Sequence, residues 1–191
     1  MARSGLTRSF FFPVLVTFLT GCGGDNPTKP KLPTALPPPS TPENVLRRLE
    51  YAYSQRDSVE TKNIYDSTYV GTSVDLTDPP GSQLLSFTYG DEISHVATLA
   101  RSTTITSVEC YFGSSTRLPS DDVSHPEWAV IALPGGSIHI EIDDGPDAIQ
   151  VTGSNDLMTF HFKPTTPASS SPTDTLWKIV RWDEVHGSSG P

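Results

Sequence analysis

The sequence predicts an α+β domain whose N-terminal helices cover the apolar face of an antiparallel sheet. Two periodicities and their order carry this reading. Up to Arg101 the apolar residues recur at helical spacing, after Ser102 they recur every second residue, and the two kinds of segment come in blocks. Strands that alternate one residue in and one out have a packed face and a wet face, which suits antiparallel pairing.

The chain starts with Arg3 and Arg8, then an apolar run from Phe10 to Leu19, then Thr20, Gly21 and Cys22. That order of charge, apolar core and small residues is export-signal anatomy. The run is about ten residues, whereas a bilayer span needs roughly 20, and Pro13 weakens it further. Residues 1–21 are therefore read as a lipoprotein signal peptide. Leu19-Thr20-Gly21-Cys22 resembles the bacterial lipobox, which makes Cys22 the expected lipidation site, carrying diacylglyceryl and palmitate-type chains that hold a protein stably on a membrane. Gly23 follows where an aspartate would signal inner-membrane retention, so the expected location is the cell envelope, with the outer membrane favoured. The competing reading is a plain cleaved signal with an incidental cysteine.

Residues 22–41 are read as a Pro-rich linker. Between Asn26 and Pro42 there are seven prolines and few large apolar residues, a composition that forms extended tethers and buries little. At about 3.1 Å per residue such a stretch holds a domain roughly 50 Å from the membrane. A proline-rich recognition ligand is the alternative.

The folded domain is expected over residues 42–186, with 187–191 as a flexible tail. Thr41 caps a helix that has Pro42 at its first position, and Val45, Leu46, Leu49, Ala52 and Tyr53 share one face. Asp57 or Ser58 caps a second, shorter helix to about Tyr65, and Asp66 to Asp75 leads into extended chain. Asp78-Pro79-Pro80-Gly81 forces a loop. From Asp91 to Arg101, the residues Ile93, Val96, Ala97 and Ala100 make a third helical stripe. Strands follow: Thr106, Val108, Cys110 and Phe112 alternate with polar residues, as do Ile138, Ile140 and Ile142, and then Met158, Phe160 and Phe162. Glu127 to Leu133 and Thr175 to Val185 add two more, with turns at Asp144-Gly145-Pro146 and between Pro164 and Pro172.

The segments Thr41-Pro42-Glu43-Asn44-Val45-Leu46, Leu49-Glu50-Tyr51-Ala52-Tyr53, Asn63-Ile64-Tyr65-Asp66-Ser67-Thr68-Tyr69-Val70 and Leu176-Trp177-Lys178-Ile179-Val180-Arg181-Trp182-Asp183-Glu184 resemble the nuclear transport factor 2-like superfamily, the cystatin-like α+β cone, and within it the bacterial lipoprotein members. The resemblance implies a curved sheet wrapped on a long helix, with a pocket that some members use for catalysis and others fill. No stretch matches the carboxylate, oxyanion-stabilising acid or tyrosine motif of the isomerase-like members, so no catalytic residue is carried over.

Composition narrows the function classes. The chain has 13 basic and 22 acidic residues, a formal charge of −9. Losing Met1 to Gly21 removes Arg3 and Arg8 and no acid, leaving 11 against 22, or −11. Nucleic-acid binding and attraction to anionic lipid depend on clustered Lys and Arg and are disfavoured. With Cys22 acylated, Cys110 has no partner in the chain and is read as a buried thiol, intermolecular pairing being the alternative.

No cofactor and no metal are expected, because His95, His125, His139, His161 and His186 are far apart in sequence. The best tertiary constellation is His139, Glu141 and His161, on the polar faces of two strands that would have to pair; a solvated sheet face is the simpler reading. No Gly-x-Ser-x-Gly elbow occurs. Asp66 beside Tyr65, near the expected cone mouth, is the weak catalytic candidate, as a general base of raised pKa, against an ordinary turn or cap residue. The acidic loop residues do not follow calcium-loop spacing. Trp128, Trp177 and Trp182 are the candidates for lining a ligand pocket, although tryptophan in a strand commonly anchors a core. The expectation is a tethered, non-enzymatic module binding a small apolar ligand or an envelope protein, with a small isomerase- or hydrolase-type enzyme as the alternative. No motif sets an oligomeric state.

Overall fold

Thr41 fulfils its capping role in the computed structural model, accepting the Asn44 amide at 3.1 Å, with Pro42 opening helix α1 (Pro42–Ser54) where its missing N–H costs nothing. The structure describes residues 35–76, 84–145, 147–150, 156–165 and 175–187, with backbone alone for 147–150. The signal peptide, Cys22, most of the linker, the Asp78-Pro79-Pro80-Gly81 loop, most of the Pro164 to Pro172 stretch and the end of the tail lie outside the described residues. Val45, Leu46, Leu49, Ala52 and Tyr53 are all buried, each large one contributing on the order of 1.5–3 kcal/mol by leaving water.

Helix α1 ends through Arg56, the single described non-glycine residue at positive φ (54°). The Asp57 amide reaches back to the Ala52 carbonyl at 2.7 Å, closing the last turn. Arg56 is held there by its guanidinium, which donates to the Ile105 carbonyl at 2.9 Å. Asp57 then caps α2 (Ser58–Ile64) through the Val59 and Glu60 amides. Helix α3 (Tyr89–Arg101) begins with a full capping box between Thr88 and Asp91.

The face of α3 corrects the sequence reading. Glu92, Val96 and Leu99 are buried, while Ala100 is exposed and Ile93 and Ala97 are half-buried. The stripe is therefore rotated toward a glutamate, which hydrophobic periodicity treats as surface.

The strands are β1 (Tyr65–Asp75), β2 (Leu85–Thr88), β3 (Ser107–Phe112), β4 (Thr116–Leu118), β5 (Ala129–Pro134), β6 (Ile138–Asp144), β7 (Asp147–Gln150), β8 (Leu157–Thr165) and β9 (Leu176–His186). Six form one sheet in the order β2-β1-β9-β8-β5-β4; β3, β6 and β7 form a second. Three helices packed on a curved six-stranded sheet make the α+β cone that the sequence predicts, with two refinements. Pairing is mixed, because β1 runs parallel to β9. The short strands β2, β4 and β7 went unforeseen: at three or four residues they are too brief to show a period. Gly145, at φ 74°, makes the turn from β6 to β7.

The core fills the space between α1, α3 and the inner sheet face, with Phe160, Phe162, Ile179, Trp182, Tyr65 and Tyr69 supplied by the strands. Cys110 is buried among them as a free thiol, and burial raises its pKa well above the ordinary value. The last linker residues dock on this body: the carbonyls of Pro37, Pro38 and Pro39 accept from Arg48, Asn44 and the Trp177 amide at 3.0, 3.0 and 2.8 Å. Contacts with the body thus reach upstream of Pro42. Among the described residues no helix is long and apolar enough to cross a membrane.

Candidate functional site

Two places concentrate polar groups at unusual cost, one inside the cone and one on the outer sheet face. Inside, α1 ends on Tyr53, β1 presents Tyr69, and the first turn of α3 presents Glu92. The Tyr53 hydroxyl donates to Glu92 Oε2 at 2.9 Å and the Tyr69 hydroxyl to Oε1 at 3.2 Å. Burial pushes the Glu92 carboxyl up, the two phenol hydrogen bonds pull it back, and the balance raises it from 4.5 to about 7. Burial, reinforced by Glu92, raises the Tyr53 and Tyr69 pKa values far above the ordinary 10, so both stay as donors. Gly71 makes the geometry possible, because a Cβ there would collide with the Tyr69 hydroxyl.

Aromatic rings pack around this trio. Tyr65, Phe160 and Phe162 are fully buried, and the Trp182 ring packs against Tyr53 and Phe160 at centroid distances of 6.4 and 4.7 Å. The Tyr65 hydroxyl and Trp182 Nε1 are buried without a protein partner among the described residues. Each such orphan costs on the order of 1–3 kcal/mol.

On the outer face, the segment 119–128 lies against strands β1, β8 and β9. It is tied by Ser120 Oγ, which donates to the His125 carbonyl at 2.8 Å, and by the His125 amide on the Asp122 carbonyl at 3.0 Å. Beneath it His161 is 1% exposed, its Nε2 3.3 Å from Asp183 Oδ2 and its Nδ1 3.4 Å from Asp121 Oδ1. The second contact lacks hydrogen-bond geometry. Burial raises Asp183, but His161, the Thr72 hydroxyl at 2.6 Å and Arg181 outweigh it and hold the carboxyl below its ordinary value.

Between this segment and the sheet lies a groove of about 370 Å³, within the range typical of small-molecule sites. A bulge in β9 shapes its floor. Ile179 pairs with Phe162 and Arg181 with His161, leaving Val180 as the extra residue, so Val180 and Arg181 both face the groove. Val70 and Trp128 complete the apolar lining, and the Trp128 ring stacks on His125 at 4.3 Å with the planes 2° apart.

The sequence candidates divide between these places. Tyr65 points inward; its neighbour Asp66 accepts from the Thr68 hydroxyl at 2.6 Å and lies 3.4 Å from Lys163, which lines the groove. Burial alone would raise Asp66, but the Thr68 hydrogen bonds and Lys163 prevail and its pKa is lowered, the opposite of what a poised base requires. Trp182 lies in the core, Trp128 lines the groove, and Trp177 is half-buried with Arg117 over its ring at 5.9 Å. The constellation of His139, Glu141 and His161 is not brought together, because β6 and β8 belong to different sheets. His139 instead stacks on Tyr111 at 4.5 Å, with Glu141 3.6 Å away. Among the described residues no group of three or more His, Cys, Asp or Glu is placed to hold a metal ion. Glu92 was missed. Its signal was an acid at the i−4 position of Val96, on an otherwise apolar stripe.

No protein-family model and no curated protein matches the chain. Solved structures do. One is a nuclear transport factor 2-like protein of unknown function in nutrient uptake from Rhodospirillum rubrum, at 11% identity over 75% of this chain and 96% of that one, with a TM-score of 0.50. Another is a conserved protein from Planctomyces limnophilus, at 14% identity over 75% and 91%, TM-score 0.50. A third, from Novosphingobium aromaticivorans, is assigned as the beta subunit of an aromatic-ring-hydroxylating dioxygenase, at 6% identity over 78% and 88%, TM-score 0.52. At such identities the likeness is one of fold, and the fold is the nuclear transport factor 2-like, cystatin-like cone, which serves ligand-binding and enzymatic proteins alike.

Proposed function

We propose that this chain is a lipid-anchored module of the bacterial cell envelope, on the outer membrane in preference to the inner, that binds a small ligand without transforming it. The observation that carries the binding reading is the groove under residues 119–128: it has ligand-site volume, an apolar floor and convergent polar groups, while the cone interior is packed with aromatic rings. A bulge beside the groove aims Arg181 and Val180 at it, a placement that serves binding and leaves the sheet no better paired.

The anchor rests on Cys22 and the lipobox-like residues before it. Cys22→Ser is expected to move the protein from the membrane fraction to the soluble fraction, because an acidic domain has no other affinity for the bilayer. Unchanged partitioning would refute the anchor. The groove is tested on the full chain in detergent by titrating a fragment set and following the Trp128 indole proton by NMR; ligands that instead shift Trp182 would move the site into the cone.

A second reading, a small isomerase- or hydrolase-type enzyme, is favoured by one observation, the Glu92 carboxyl held near pH 7 between two phenol hydroxyls. It requires the cone to open. Turnover that Glu92→Gln abolishes, with groove binding intact, would establish it.

A further inference from the structure

The charges lining the groove are sorted by wall. The sheet side is cationic, with Lys163 from β8 and Arg181 from β9; the segment side is anionic, with Asp122 and Glu127. Lys163 is paired with Asp66 at 3.4 Å and Glu127 with His125 at 3.2 Å, so the spare capacity on each wall lies in Arg181 and Asp122. Arg181 is ion-paired through Nε with Asp183 at 2.6 Å, and its two terminal amino groups make no hydrogen bond among the described residues. Asp122 accepts the Ser124 amide on Oδ1 at 2.8 Å, and its Oδ2 has none. Between the two walls lie Val70, Val180 and the ring of Trp128, whose Nε1 is buried without a protein partner.

From this arrangement we infer that the groove binds a small zwitterion with an apolar side chain, a free amino acid of the larger apolar or aromatic kind. The carboxylate lies against Arg181, which holds it by paired charge-assisted hydrogen bonds with Lys163 adding positive potential. The ammonium lies against Asp122 and Glu127. The apolar group covers Val70 and Val180 and packs on the stacked Trp128 and His125.

Two further observations set the class. About 370 Å³ falls at the small end of the ~300–1,000 Å³ range of ligand sites, which suits a ligand of about a dozen non-hydrogen atoms. The chain carries a formal charge of −9, so its overall field repels a simple anion, whereas a zwitterion has no net charge and is oriented by the local dipole alone.

This inference rests on the groove reading above and narrows it. The test is calorimetric titration of the full chain in detergent with L-phenylalanine, 3-phenylpropanoate and phenethylamine, which share a ring and differ in carrying both charges, the anion or the cation. L-phenylalanine should bind at least tenfold more tightly than either analogue. Arg181→Gln should weaken L-phenylalanine and 3-phenylpropanoate about tenfold and leave phenethylamine unchanged; Asp122→Asn, which keeps the acceptor for Ser124, should weaken L-phenylalanine and phenethylamine and spare 3-phenylpropanoate. Circular dichroism confirms that each variant is folded. Three affinities within twofold of one another, a variant that weakens all three probes alike, or no binding of L-phenylalanine at 10 mM would overturn the zwitterion assignment. Fragments shifting Trp128 without regard to charge would in that case leave the groove reading standing, whereas an unmoved Trp128 would remove both.

Discussion

Glu92 is the residue whose chemistry departs furthest from its position on an exposed-looking helix. Its ordinary pKa of 4.5 applies to the unfolded chain, and in the fold it is about 7. Below pH 4.5 both states hold the proton. Between the two values the unfolded chain releases it while the folded chain keeps it, so stability falls as pH rises from about 4.5 to 7, by ~3 kcal/mol at 1.36 kcal/mol per unit. Glu92→Gln should abolish that fall, seen as a parent-minus-variant difference in urea midpoints that disappears at pH 4.5 and opens by pH 7.5 in favour of the variant. Gly71 makes a second residue-scale case. Gly71→Ala forces Tyr69 away from Glu92 and should cost about 2 kcal/mol, the value of a hydrogen bond to an acidic group, measurable by urea denaturation. In a Tyr69→Phe background the same change should cost far less, since the colliding hydroxyl is already gone.

At the scale of elements, the question is how α1 holds two sheets at once. Its apolar face meets the core, including Trp182 of β9 through Tyr53. Its flank reaches β3 by polar contacts: the buried Glu50 carboxylate accepts the Phe112 amide at 2.5 Å and Arg47 at 2.7 Å, and Ser54 Oγ accepts the Cys110 amide at 3.1 Å. These bonds occupy backbone donors on the edge of the small sheet. Glu50→Ala should therefore destabilise the domain by about 2–3 kcal/mol, because the Phe112 N–H is left buried and unpaired. Amide exchange is the direct check: protection should drop at Phe112 and the rest of β3 and hold in β8 and β9. The same accounting explains Arg48, whose guanidinium spans Glu60 at 2.5 Å and the Pro37 carbonyl, locking α2 and the docked prolines to one helix.

For the whole molecule, the docked prolines carry the contacts of the body upstream of Pro42. Three successive carbonyls from Pro37 to Pro39 are taken up by the body, and the Trp177 amide among their donors belongs to the last strand. Limited proteolysis is expected to cut between Asn26 and Leu36 and to spare the chain from Pro37 to His186, apart from its inner loops, since bound backbone does not fit a protease cleft. A stable fragment beginning at or after Pro42 would show that the proline contacts are dispensable.

Local chemistry was legible in the sequence. The caps at Thr41 and Asp57, the apolar face of α1, the long strands and the buried Cys110 all follow from spacing and side-chain type, because helix and strand periods project one face onto the core whatever lies opposite; the curved cone came from the family resemblance. The sites were another matter. Glu92 reads as surface until Tyr53 and Tyr69, 39 and 23 residues away, bring their hydroxyls to it. The His139, Glu141 and His161 constellation failed because sheet membership is set by long-range pairing that alternation does not encode. The groove depends on one unpaired residue in β9 and on a backbone segment folded over the sheet, and neither leaves a periodic trace. Sequence by itself determined which apolar residues of α1 and the long strands leave water; only the tertiary structure decided how α3 is turned and which polar groups are buried, because that depends on partners supplied from distant parts of the chain.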